Sequence, residues 1–129
     1  MKRFGDLKNA RRAVAVAGFL LAAASIVPAC YTANAVWSVG FSAAAMFGLE
    51  LTVGVSWAVT LDIGGAYAGS VSSVMNTFGN LGGATASALS AYLVKSYGWT
   101  APFLVVAALC LAAAGLYLRI DADGSVVEG

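Results

Sequence analysis

Apolar and polar positions divide the chain into four apolar runs separated by short polar breaks. Residues 13–30, 66–94 and 101–118 carry no charge, and 35–61 carry only Glu50. A helix needs ~20 apolar residues to cross the hydrocarbon core of a bilayer, and each run meets or approaches that length. The pattern predicts an all-α membrane protein. Its four transmembrane helices occupy 13–119, between a basic segment 1–12 and a polar tail 120–129. The breaks carry suitable turn chemistry. "CYTAN" at 30–34 reads as a polar turn, and "DIGG" at 62–65 stops the second helix. "KSYGWT" at 95–100 offers Thr100 as an N-cap, which puts Pro102 in the first helical turn, where its missing N–H is harmless. Pro28 is expected to end or kink the first helix near its far end.

The runs differ in polar content. The first and fourth are mostly Ala, Val and Leu, with Ser25 and Cys110 as rare polar atoms, and nothing in them objects to lipid. The third repeats small residues every fourth position, Gly79, Gly83, Ser87 and Ala91, beside a ridge of Ser72, Asn76, Asn80, Ala84 and Ala88. Steps of four share a helix face, and small-xxx-small ridges let membrane helices approach closely. Gly79, Gly83 and Ser87 are therefore assigned to helix packing, with protein and not lipid around them. Asn76 and Asn80, one turn apart near mid-span, either bond a neighbouring helix or contact a ligand.

Composition sharpens the class. Sixty per cent of the 129 residues are hydrophobic and ten per cent charged, against roughly a quarter charged in soluble domains. Five of the seven basic residues precede residue 13, with no basic stripe afterwards, so nucleic acid is disfavoured as a partner. Histidine is absent, and Cys30 and Cys110 are too few for a zinc site or a disulfide framework. They read as small apolar fillers. No Ser-His-Asp set, phosphate loop or pair of inward acids appears, so the chain is read as a non-enzyme needing no cofactor or metal.

The start of the chain, "MKRFGDLKNARR" before an apolar run ending "VPAC", also has the outline of a secretory signal. Three further apolar runs favour a retained helix. Lys2, Arg3, Lys8, Arg11 and Arg12 precede the first run, Arg119 follows the last, and only Lys95 falls on the other side. The positive-inside rule then puts both termini in the cytoplasm, with the chain multi-pass in the cell (inner) membrane. Asp62 ends the second helix on that same face, placed to cap the next helix or to pair with Arg11 or Arg12. Glu50 lies mid-span, where a charge costs about 2.5–3.5 kcal/mol on insertion scales. Such an acid faces a cavity or a partner; Trp57 lies two turns on, with Gly54 between. Glu50 and Trp57 are assigned to a cavity lining.

Residues 57–105 resemble the final helices of major facilitator superfamily transporters, and are most like the anion–cation symporter family that moves hexuronates, aldonates, phthalate and sialic acid. The carrying features are Trp57 with Asp62, Gly69, "NTFGNLGG" at 76–83, and Gly98, Trp99, Pro102 and Phe103 of "GWTAPF". "FGDLKNARR" at 4–12 is similar to a worn loop between that superfamily's eighth and ninth helices. The resemblance implies helices nine to twelve of a twelve-helix fold, the ninth and twelfth outermost, the tenth lining the cavity and the eleventh between halves. It also implies that Asn76 or Asn80 contacts an organic-anion substrate. A complete member is roughly three times as long, with a second six-helix half, and the family's coupling acids and substrate arginine come from that missing half.

The resulting expectation is a C-terminal part of a secondary transporter for sugar acids or related carboxylates, proton- or cation-coupled when complete and not competent alone. Its partners would be the bilayer, the anion, and the missing N-terminal half or another copy. Two alternatives stay open: a small homo-oligomeric four-helix transporter using Glu50, and a non-transporting membrane assembly subunit.

Overall fold

A computed structural model describes residues 3–119; the expected tail at 120–129 lies outside the described residues. Four α-helices follow one another: α1 (Arg3–Tyr31), α2 (Ala35–Gly64), α3 (Ala68–Tyr97) and α4 (Thr100–Tyr117), with one 3-10 turn at Gly65–Tyr67. Three stretches are long and apolar enough to cross a membrane, Asn9–Tyr31, Ala35–Tyr97 and Thr100–Tyr117. The apolar pattern alone suggests four runs. Hydropathy does not separate the middle two, because "DIGGAY" carries a single charge. The separation is made by backbone geometry. Gly65 adopts φ 45°, ψ −120°, closing α2 through its N–H to the Leu61 carbonyl, a conformation open mainly to glycine.

The ends depart from expectation in three places. α1 starts at Arg3, ten residues before the apolar run, because Arg, Leu, Lys and Ala are good helix formers whether or not lipid surrounds them. It continues past Pro28 to Tyr31, and the Thr32 N–H donates to the Pro28 carbonyl at 3.1 Å. A proline lacks its own N–H but its carbonyl still accepts. At α4 the N-cap is Trp99, not Thr100, with no side-chain cap bond. Thr100 is already helical and Pro102 lies in the first turn. Asn34 caps α2, its Oδ1 accepting from the Val36 N–H at 2.9 Å.

The packed centre is made of small residues. Buried positions are Ala15, Gly18, Ala22, Ala23, Ser25 and Ile26 on α1, Ala45, Gly48, Thr52, Thr60 and Gly64 on α2, and Ala107, Cys110 and Ala114 on α4. α1 and α2 meet almost backbone to backbone at Gly18 and Gly48. A Cβ added to Gly18 would stand 2.5 Å from the Gly48 carbonyl oxygen, and one added to Gly48 would stand 2.6 Å from that of Gly18. α1 therefore packs against both α2 and α4 and is the innermost helix of the described chain, although its composition suits a lipid-facing one. Close backbone approach makes this possible, since it multiplies weak dispersion contacts along the seam. α3 contributes no buried residue. Cys110 is buried and Cys30 half-buried, its Sγ–H donating to the Ile26 carbonyl at 3.1 Å, as small fillers would be.

Candidate functional site

The Arg11 guanidinium pairs with the Asp62 carboxylate, joining the start of α1 to the end of α2. Of the two arginines open to Asp62 in the sequence, the structure selects Arg11. The same half of the bundle holds two more ties. The Ser56 and Tyr117 hydroxyls lie 2.6 Å apart, linking α2 to α4, and the Tyr117 ring tilts against Phe19 at 5.7 Å. The Thr60 hydroxyl donates to the Met75 sulfur at 3.0 Å, tying α2 to α3. Sequence reasoning missed both, because a lone Ser, Thr or Tyr in an apolar run gives no hint of its partner.

Above these ties the α2 and α3 faces that carry the candidate residues are bare. Glu50 is exposed, Trp57 is 40% exposed, and a Cβ added to Gly54 between them would have nothing within 4 Å. On α3, Asn76, Asn80 and Ser87 are exposed, and Gly79, Gly82 and Gly83 would each accept a Cβ into open space. The small-residue ridge expected to pack thus meets no other part of the described chain. Most α3 hydroxyls are satisfied locally: Ser73, Thr77, Thr85 and Ser87 each donate to the carbonyl four residues back, at 2.8–3.0 Å, whereas the Ser72 Oγ is buried without a hydrogen-bond partner among the described residues. The Asn80 amide donates to the Asn76 backbone carbonyl at 2.9 Å, so its Oδ1 remains available, as does the Asn76 amide.

Neighbouring helices thus present Glu50 with Trp57 and Asn76 with Asn80, but no hydrogen bond, ion pair or ring contact joins the two sets among the described residues. What the arrangement offers is an uncovered strip of amide donors and acceptors on α3 and, on α2, one uncovered carboxyl, inside apolar helices. Bare polar groups in hydrocarbon are unfavourable by several kcal/mol, so such a strip calls for water, solute or further protein against it. At the end of the bundle away from Arg11, a largely apolar cavity of about 400 Å³ opens among all four helices, between Leu49, Met46, Val94, Trp99 and Phe103. None of the candidate residues lines it. Among the described residues no three His, Cys, Asp or Glu side chains converge on a metal position.

The profile of the Major Facilitator Superfamily matches residues 1–128. The chain belongs to that superfamily. It is also 38% identical over 109 residues to a protein of Cupriavidus necator named "Probable sulfoacetate transporter SauU". That match covers 84% of the chain but only 25% of the relative, so the chain spans about a quarter of the length of the curated relative it matches. No solved structure matches it. Superfamily membership and the three apolar stretches make this a multi-pass membrane protein of a transporter family, and the resemblance read from Trp57, Asp62 and "NTFGNLGG" is sound at the level of the superfamily.

Proposed function

We propose that these helices are the last four crossings of a twelve-helix secondary transporter for small organic anions, of the anion–cation symporter type, proton- or cation-coupled when complete. The observation that carries the reading is the bare face of α3. Asn76 and Asn80 are exposed along it, and a Cβ added to Gly79 or Gly83 on the same face would meet nothing within 4 Å. The glycines would let another helix, in the missing half, lie close against α3. The amides of Asn76 and Asn80 can donate to carboxylate or sulfonate oxygens, and Glu50 and Trp57 are exposed on the neighbouring helix α2. The relative's name supports a substrate with anionic oxygens. Six of seven basic residues at one side support cytoplasmic termini in the inner membrane. Alternating access rocks one half against the other, so the 129 residues alone would not transport.

The test is uptake of labelled sulfoacetate and of a hexuronate by cells expressing the longest reading frame that contains these residues. Asn76→Ala and Asn80→Ala are each introduced there. Loss of uptake with normal membrane levels of protein in at least one variant is expected. Full uptake in both would remove the substrate role. A second reading, a homo-oligomer that buries Glu50 against its own copy, draws on the exposure of that carboxyl. It requires proton-driven uptake by vesicles holding the 129-residue chain alone, abolished by Glu50→Gln.

A further inference from the structure

Two adjacent arginines at the start of the apolar part of α1 serve different faces of that helix. Successive residues are turned by about 100°. Arg11 therefore reaches Asp62 on α2, while Arg12 heads a groove of about 340 Å³ on the outer side of the bundle, between α1 and the end of α4. Below Arg12 and Asn9 the groove is apolar, walled by Val16, Ala17, Leu20 and Leu118. Ala17, Leu20 and Leu118 are exposed, so the groove opens outward and not into the transport face on α2 and α3.

The dimensions are those of one lipid leaflet. From Arg12 to Leu20 the helix rises about 12 Å at 1.5 Å per residue, most of the ~15 Å that one leaflet contributes to a ~30 Å hydrocarbon core. The uncharged run of α1 begins at Ala13, so Asn9 and Arg12 stand where water gives way to hydrocarbon. Polar head, apolar wall and leaflet length occur together, in that order. Arg12 engages a neighbour of its own, and a guanidinium has five N–H donors, so a phosphate would add to that contact. Basic pockets between membrane helices are suited to anionic headgroups. We propose that this groove binds an anionic phospholipid, with its phosphate at Arg12 and Asn9 and one acyl chain along Val16, Ala17 and Leu20.

The full chain is reconstituted in phosphatidylcholine nanodiscs with a trace of spin-labelled phosphatidylglycerol or spin-labelled phosphatidylcholine. Electron paramagnetic resonance then reads the motionally restricted fraction. A preference for phosphatidylglycerol of about five-fold is expected, the equilibrium equivalent of the ~1 kcal/mol that one basic side chain contributes at a membrane surface. Arg12→Gln should bring the preference near unity. Ala17→Trp, which fills the groove and keeps every charge, should lower it too, and serves if Arg12→Gln does not insert. Lys95→Gln at the opposite end should leave it unchanged, as should excess inorganic phosphate. Retention of the preference in both groove variants would overturn the proposal. So would an equal loss in Lys95→Gln, which would indicate general charge attraction, or displacement by inorganic phosphate, which would indicate a site for the free anion.

Discussion

Gly48→Ala tests the α1–α2 seam most directly. The added methyl carbon would sit 2.6 Å from the Gly18 carbonyl oxygen and 3.0 Å from the Ala22 nitrogen, both backbone atoms with no rotamer to yield. Ordinary contact begins at 3.4 Å, so the helices must part by about 0.8 Å at this point. A gap of 0.5–1 Å forfeits roughly a quarter to a half of each dispersion well, and Ala15, Ala22, Ala45 and Thr52 flank the seam. Overpacking of this kind costs typically 1–3 kcal/mol. Alanine also favours a helix over glycine by about 1 kcal/mol, which would mask part of the loss. Gly40→Ala removes that ambiguity, because Gly40 lies on the same helix with nothing within 4 Å. The helix-propensity gain is then common to both variants. Reversible unfolding of the chain in mixed micelles, titrated with dodecyl sulfate, should place Gly48→Ala about 1–3 kcal/mol below Gly40→Ala. Gly18→Ala should behave like Gly48→Ala. The double variant should lose less than the two singles together, since one separation relieves both clashes. Equal stabilities of Gly48→Ala and Gly40→Ala would refute the close seam.

Tyr117→Phe keeps the ring against Phe19 but removes the hydroxyl beside Ser56, and should cost about 0.6 kcal/mol, the typical interhelical hydrogen bond in membranes. A double-mutant cycle with Ser56→Ala, showing matching coupling, checks it. Breaking the Arg11–Asp62 pair with Asp62→Asn should cost under about 1 kcal/mol, because the partners' side chains are 30% and 58% exposed. The loss should shrink as salt is raised from low ionic strength. Gly98 holds φ 89°, ψ 178° at the end of α3, so Gly98→Ala should cost on the order of 1–3 kcal/mol from backbone strain. Gly83→Ala, earlier on the same helix and in open space, should be neutral or stabilising in the isolated chain.

Hydropathy and charge alone decide that this chain is helical and membrane-bound, because the cost of placing each side chain in lipid is largely a property of that residue. The polar strip of Asn76 and Asn80, the mid-span acid Glu50, the pairing of Asp62 with one of two arginines, and the superfamily are legible for the same reason: each is a local excess or motif. The helix that becomes innermost is not legible. α1 and α3 both carry small residues at helical spacing, and by composition α3 is the better candidate for packing. Tertiary structure favours α1, since Gly18 finds Gly48 opposite it while Gly79 and Gly83 find nothing within the described chain. A close seam needs two small stripes in register on facing backbones, a property of the pair that neither stripe reveals alone.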